Sequence, residues 1–121
     1  MIVCAIDDLI FSIKISTAAK QLGVDVYFER LRDRVLTTIR EKEPSLVIFD
    51  LNSSRLDPMR VIASMKADPQ LSTVKTLGYV AHVDSDAIAA ARQAGIDQVL
   101  ARSAFTAQLG AILRGDSTGR V

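Results

Sequence analysis

The sequence predicts a single doubly wound α/β domain with three layers, αβα. Helices are expected to cover both faces of a five-stranded parallel sheet. Short apolar runs alternate five times with segments in which apolar residues recur at helical spacing. Three of these runs are almost entirely apolar and lack period-two alternation, which is typical of strands buried on both faces. A length of 121 residues, 49% of them hydrophobic, suits one domain with its own core.

The five predicted strands are rich in β-branched and aliphatic residues, which favour extended structure. They lie at Met1–Ile6, Val24–Phe28, Leu46–Phe49, Leu77–Val80 and Gln98–Ala101. Because a helical segment follows each strand, we expect parallel neighbours joined by right-handed crossovers. The apolar faces of the five helices consist of Phe11, Ile15, Ala18 and Leu22; Leu31, Val35 and Ile39; Val61, Ile62 and Met65; Ala87, Ala91 and Ala94; and Phe105, Leu109 and Ile112.

Glycine, proline and capping residues predict where the helices begin and end. Gly23 and Gly95 follow the first and fourth helical segments, where a left-handed residue commonly ends a helix. Pro44 ends the second segment, because proline disfavours a helical backbone in the residue before it. The predicted first residue of the third helix is Pro58, and the predicted N-caps of the fourth and fifth helices are Asp84 and Ser103.

Charge and composition disfavour several classes of partner. Fifteen Lys and Arg against fourteen Asp and Glu give a net charge of +1, so no broad attraction to nucleic acid or to an anionic membrane is expected. No apolar run approaches the ~18 residues of a membrane span. The single Cys4 is predicted to be a buried, unreactive core residue and fits a reducing cytoplasm. We therefore expect a cytoplasmic domain over residues 1–114, followed by a flexible tail at 115–121.

Charged residues follow three of the predicted strands. Asp7 and Asp8 come directly after the first strand, Asp50 after the third, and Arg102 after the fifth. The carboxyl ends of parallel strands meet at the edge of an open α/β sheet where ligands bind, so these side chains are expected to converge. Carboxylate oxygens suit Mg²⁺, and a carboxylate held beside Mg²⁺ can attack phosphorus. A simpler alternative is that Asp7 or Asp8 caps the first helix and Asp50 ends a strand at a turn.

These motifs, in this order, resemble the receiver domains of response regulators over residues 1–114. The acidic pair lies in CAIDD, and the aspartate after the third strand lies in LVIFDLNSSRLDP. That loop is similar to the family pattern Asp-x-x-x-Pro-x-x-Asp-Gly. It keeps Asp50 and Asp57, but has Ser54 and Pro58 where proline and glycine are common. The following segment, through AGIDQVL, also resembles the family.

The resemblance implies the flavodoxin-like receiver fold, a (βα)5 domain with strand order 2-1-3-4-5. It implies that Asp7 and Asp8 bind Mg²⁺ and that Asp50 is the phosphoacceptor and a further metal ligand. The backbone carbonyl of Asn52 matches another ligand of the metal. A domain of this kind catalyses at most its own phosphorylation, so it is not expected to be an enzyme in the ordinary sense.

Three positions depart from the family pattern on the side that senses phosphate. Val80 stands where Thr or Ser would bond the phosphoryl group, and a valine has no hydroxyl. Arg102 replaces the usual Lys and is followed by Ser103 rather than proline, and arginine is longer, planar and forked. Val99 replaces an aromatic residue that moves on activation. A switch needs an element with two arrangements, and no replacement for these partners is evident in the sequence.

Two functional hypotheses follow, and a third is disfavoured. The chain is either a phosphorelay receiver served by a histidine kinase or phosphotransfer protein, or a phosphorylation-independent pseudo-receiver that binds a constitutive protein partner. A flavin or nucleotide binder of the same architecture would need a glycine-rich, hydroxyl-bearing loop after the first strand, whereas the chain has Asp7-Asp8-Leu9-Ile10 there. His82 is expected to be an exposed loop residue, and the arginine-rich start of the second helix a solvated face.

Overall fold

The computed structural model describes residues 1–81 and 84–115. Its strands are β1 (Ile2–Ala5), β2 (Val26–Phe28), β3 (Leu46–Asp50), β4 (Lys75–Val80) and β5 (Gln98–Ala101). They form one parallel sheet in the order β2-β1-β3-β4-β5, which confirms the predicted class and strand order. Residues 116–121 of the tail expected at 115–121, and His82, lie outside the described residues.

The helices lie in two layers, one on each face of the sheet. They are α1 (Leu9–Leu22), α2 (Val35–Lys42), α3 (Pro58–Ala67), α4 (Ser85–Ala94), α5 (Arg102–Ala107) and α6 (Leu109–Arg114). Residues of α2, α3 and α4 pack with Val47 and Phe49 of the sheet on one face. Residues of α1, α5 and α6 pack with Ile48 and Tyr79 on the other face. Among the described residues, no helix combines the length and the apolar character needed to cross a membrane.

Most of the predicted helix boundaries are confirmed. Gly23 (φ 69°) and Gly95 (φ 103°) end α1 and α4 in the left-handed conformation. Pro58 is the first residue of α3, and α2 ends at Lys42, just before Pro44. Asp84 caps α4, since its Oδ1 accepts a hydrogen bond of 3.1 Å from the backbone N–H of Ala87. Local capping chemistry therefore sets the ends of the helices.

The start of the second helix was predicted wrongly. Leu31 was placed on its buried face, but Leu31 is 58% exposed and precedes α2. Glu29 Oε2 accepts a hydrogen bond of 3.2 Å from the Leu31 N–H, which holds this residue extended (φ −105°, ψ 116°). A single 3-10 turn at Arg32–Arg34 then leads into α2. The arginine-rich segment is consequently a loop rather than a helix face.

The end of the chain also departs from the prediction. The expected fifth helix consists of α5 and α6, which are separated at Gln108 (φ −103°, ψ 9°). Gly110 lies just inside α6, and glycine weakens a helix interior, which favours a break near this point. Ser103 is not an N-cap, because helical backbone has already begun at Arg102 and the cap position is Ala101.

Candidate functional site

Asp50 lies at the carboxyl end of β3, near the middle of the sheet. It pairs in register with Tyr79 of β4, and the alternation of side chains places it on the same face as Ile48. The side chain is half-buried, and its Oδ1 accepts a hydrogen bond of 3.0 Å from the backbone N–H of Asn52. This turn holds the carboxylate at the edge of the sheet.

Several neighbours act on the ionisation of Asp50. Burial raises the pKa of its carboxyl group, and the negative charges of Asp7 and Asp8 raise it further. The hydrogen bond from Asn52 and the positive charge of Arg102 lower it, but the net shift is upward. Four residues singled out from the sequence therefore lie close enough together to act on one another electrostatically.

Asp8 binds two partners, one through each oxygen of its carboxylate. Oδ1 accepts a hydrogen bond of 3.1 Å from the Phe11 N–H and so caps α1. Oδ2 accepts a hydrogen bond of 3.4 Å from Nη1 of Arg102, which forms an ion pair. Asp8 therefore caps the first helix, as the simpler alternative states, and also lies among the converging charged residues.

Arg102 is the first residue of α5, and two contacts hold its guanidinium group over the acidic residues. One is the ion pair with Asp8, and the other is the Phe11 ring, whose centroid lies 5.4 Å from the guanidinium carbon. Both side chains of the ion pair are more than one third exposed, so solvent screens it and it stabilises the fold by at most about 1 kcal/mol. These contacts therefore place the guanidinium group beside Asp8 without fixing it there.

The donor atoms of these residues are of the type that binds a divalent cation, but their side chains are not grouped as a metal site. Carboxylate oxygens of Asp7, Asp8 and Asp50 with a backbone carbonyl are the hard donors that Mg²⁺ prefers, and their charges call for a cation. Within residues 1–81 and 84–115, however, no three acidic, histidine or cysteine side chains are grouped as a ready metal site. Asp8 would have to release Arg102 before its Oδ2 was free to bind a metal, since Oδ1 already caps α1.

The side chain of Asn52 has a role that sequence reasoning missed. Its Oδ1 accepts a hydrogen bond of 2.7 Å from the backbone N–H of Ala81, and its Nδ2 donates one of 3.4 Å to Oδ2 of Asp84. The loop after β3 is thus tied to the segment after β4. Only the backbone carbonyl of Asn52 was expected to matter, and no sequence signal reveals this contact between residues 29 positions apart.

The two valines expected to stand in place of family residues both pack in or against the core opposite Asp50. Val80 is only 2% exposed and belongs to the cluster on the α2–α4 face. Val99 is half-buried and packs against the same cluster. Their apolar side chains are explained by packing, and neither offers a polar group to the acidic edge.

Tyr79 is a further residue that the sequence did not single out. It is fully buried and packs against the rings of Phe11 and Phe105, with centroid distances of 4.7 and 5.1 Å. Its hydroxyl has no hydrogen-bond partner among the described residues. Burial raises the pKa of this phenol, and the charges of Asp50 and Asp8 add to the effect. The available signal was that Tyr79 carries the one polar side-chain group in the predicted strand Leu77–Val80.

A cavity of about 1260 Å³ has Val99 in its lining, but it includes neither the acidic residues described above nor Arg102. It opens where the strands begin and is lined by Ile2, Leu46, Lys75 and Gln98, among others. Ligands of open parallel sheets bind at the other edge, where the strands end. The converging charged residues at that edge are therefore the better candidate site.

Comparisons with solved structures agree on the architecture. A response regulator from Hahella chejuensis superimposes with a TM-score of 0.82 at 14% identity, covering 93% of this chain and 91% of that one. The magnesium-bound receiver domain of a Pseudomonas aeruginosa sensor histidine kinase gives 0.81 at 18% identity, covering 94% and 93%. A phosphorylated cyanobacterial phytochrome response regulator gives 0.77 at 23% identity, covering 94% and 88%.

Comparisons of the sequence alone do not assign the chain to a family. No protein-family model matches the chain, and no curated protein matches it. Identities below a quarter of the residues support the fold alone, but each superposition covers nearly all of this chain. The chain therefore has the receiver fold found in response regulators.

Proposed function

We propose that the chain is a cytoplasmic receiver module of two-component signalling, and that Asp50 accepts a phosphoryl group from a histidine kinase or a phosphotransfer protein. The observation that carries this proposal is the meeting of Asp7, Asp8, Asp50 and Arg102 at the carboxyl edge of a receiver fold. The known structures that share the fold include one with magnesium in its active-site cleft and one that is phosphorylated.

In this proposal, an ionised oxygen of Asp50 attacks the phosphorus atom. An O–P bond forms as the P–N bond of the donor phosphohistidine breaks, and the histidine nitrogen leaves with the electron pair. The Asn52 N–H, which already binds one carboxylate oxygen, keeps Asp50 oriented. Arg102 can leave Asp8 and turn its guanidinium towards the phosphoryl oxygens, because its side chain is partly exposed.

A divalent cation would be held by Asp7, Asp8 and Asp50 with the backbone carbonyl of Asn52. When bound, Mg²⁺ neutralises the negative charge that the phosphoryl group adds to three carboxylates. We propose no other cofactor. The domain catalyses only its own modification, so it is not a turnover enzyme in this scheme.

The second candidate is a phosphorylation-independent module for binding a protein. It is favoured by the position of Val80 in the core opposite Asp50, with half-buried Val99 packed against that core. Neither side chain has a hydroxyl to bond a phosphoryl group or an aromatic ring to move. In this case the fold would present a constant surface, and the acidic edge would be a remnant with a structural role at Asp8.

Intact-mass measurement separates the two candidates. The full chain is incubated with Mg²⁺ and phosphoramidate, and in a second arm with a phosphorylated histidine phosphotransfer domain. One phosphoryl adduct is expected on the wild type and on Asp57→Ala, which removes a carboxylate from the same loop, and none on Asp50→Ala. Absence of the adduct from the wild type in both arms, or its persistence in Asp50→Ala, would overturn the assignment of Asp50.

A further inference from the structure

A second cavity at the carboxyl edge of the sheet is lined mainly by arginine. It has a volume of about 430 Å³ and lies where the segment between β2 and α2 faces the loop between β3 and α3. None of the acidic residues discussed above contributes to its lining. The lining residues, which define what we call the arginine cavity, are Arg30, Leu31, Arg32, Asp33, Arg34 and Arg55.

Three of these arginines have no carboxylate partner in the part of the chain that the structure describes. Among the described residues, no Asp or Glu lies within 4.0 Å of the guanidinium groups of Arg30, Arg32 or Arg55. Arg30 instead lies over the ring of Phe28, at 5.3 Å from its centroid. Four arginines and one acidic residue line the cavity, so its lining carries a net positive charge.

The segment that carries Arg30 and Arg32 is fixed by a buried carboxylate. Glu29 is only 5% exposed, and its Oε1 accepts a hydrogen bond of 2.6 Å from the hydroxyl of Thr38 on α2. Its Oε2 accepts the Leu31 N–H at 3.2 Å, and its own N–H donates to the carbonyl of Cys4 at 3.0 Å. Arg34 also lies 3.9 Å from Glu29. The loop is therefore held in shape before any ligand arrives, which lowers the entropic cost of binding.

We propose that the arginine cavity binds a small molecule that carries two linked phosphate groups. The planar guanidinium fork of arginine matches the oxygens of phosphate, and three unpaired forks from two loops can contact two phosphates together. A volume of about 430 Å³ lies in the range of small-molecule sites, and the 58% exposed side chain of Leu31 offers an apolar contact beside the charges. A nucleic acid polymer fits less well, because the net charge of the chain is only +1.

Inorganic pyrophosphate is the probe that tests this site. It is titrated into the full chain by calorimetry at low ionic strength, with EDTA present so that divalent metals do not contribute. The test variant is Arg32→Gln with Arg55→Gln, which removes one exposed arginine from each loop. The matched control is Lys20→Gln with Arg92→Gln, which removes the same charge from exposed positions outside the cavity. Asp50→Asn serves as the control for the acidic edge.

The proposal predicts one equivalent of pyrophosphate bound, with an affinity that falls about tenfold or more in the cavity variant. The matched control and Asp50→Asn should bind within about twofold of the wild type, and citrate should bind more weakly than pyrophosphate. No binding to the wild type would overturn the proposal, as would an equal loss in both double variants. The acidic edge is not involved, so failure here leaves the proposed role of Asp50 untouched.

Discussion

Oδ1 of Asn52 lies 2.7 Å from the backbone nitrogen of Ala81, the shortest link between the loop after β3 and the segment after β4 among the described residues. The same side chain donates to Asp84, which caps α4, while its backbone N–H holds Asp50. One residue thus couples the carboxylate proposed to accept phosphate to the start of α4. That position makes Asn52 more than a source of one backbone carbonyl.

Replacing Asn52 by alanine should loosen this link. The variant loses two hydrogen bonds at the surface, the short one from the Ala81 N–H and the longer one to Asp84, so we expect the free energy of unfolding to fall by about 1 kcal/mol. Hydrogen exchange at the Ala81 amide should accelerate, because its acceptor is gone. Ser54→Ala, an exposed change in the same loop, is the control. Unchanged protection at Ala81 in Asn52→Ala would show that the hydrogen bond does not persist in solution.

Asp50→Asn should stabilise the protein at neutral pH. Since the folded-state pKa of Asp50 is raised, its ionised form is less favourable in the folded state than in the unfolded state. This penalty is present above the folded pKa and disappears as pH falls to the unfolded value of about 3.9. In urea unfolding with EDTA present, Asp50→Asn should therefore have a larger free energy of unfolding than the wild type at pH 7, and this difference should shrink towards pH 4. A difference that does not change with pH, or a variant less stable than the wild type at pH 7, would contradict the electrostatic account.

Tyr79→Phe tests whether the buried hydroxyl is truly unpaired. A buried hydroxyl without a partner is costly, so removing it should leave stability unchanged or raise it by about 1 kcal/mol. Tyr79→Leu is the comparison, since it also removes the ring that packs against Phe11 and Phe105 and should cost about 2 kcal/mol. If Tyr79→Phe is destabilised by more than about 1 kcal/mol, the hydroxyl binds a buried water.

The fold was predictable because its signals are local and repeated. Apolar runs, helical periodicity and end residues such as Gly23 and Asp84 act within a few positions along the chain. The errors occur where a side chain overrides the pattern. Glu29 holds Leu31 extended and delays α2, and Ser103 is a good cap in isolation but follows a residue that is already helical.

Only the part of the candidate site that follows from strand topology could be predicted from the sequence. Parallel topology alone brings Asp7, Asp8, Asp50 and Arg102 to one edge, so their proximity follows from the strand ends. The contacts of the Asn52 side chain and the isolation of the Tyr79 hydroxyl depend on side-chain packing between distant segments. Periodicity carries no information about such contacts.

Gly78 explains how β4 passes beneath the loop that follows Asp50. A Cβ added to Gly78 would lie 2.6 to 2.8 Å from three side-chain atoms of Leu51, which is itself buried. Gly78→Ala should therefore cost about 1–3 kcal/mol through overpacking. The combination with Leu51→Ala should cost less than the sum of the two single changes, because the shortened side chain makes room. Additive costs in urea unfolding would show that Leu51 does not limit the space at Gly78.

Arg102→Ala should strengthen the binding of a divalent cation. The change frees Oδ2 of Asp8 and removes a positive charge that repels a metal from three carboxylates. Because the ion pair is partly exposed and weak, we expect a gain of a few-fold rather than orders of magnitude. Mn²⁺ binding followed by electron paramagnetic resonance gives the affinity directly, with Arg102→Lys as the charge-retaining control. If Arg102→Ala binds Mn²⁺ no more tightly than Arg102→Lys, the guanidinium of Arg102 does not compete with a metal for Asp8.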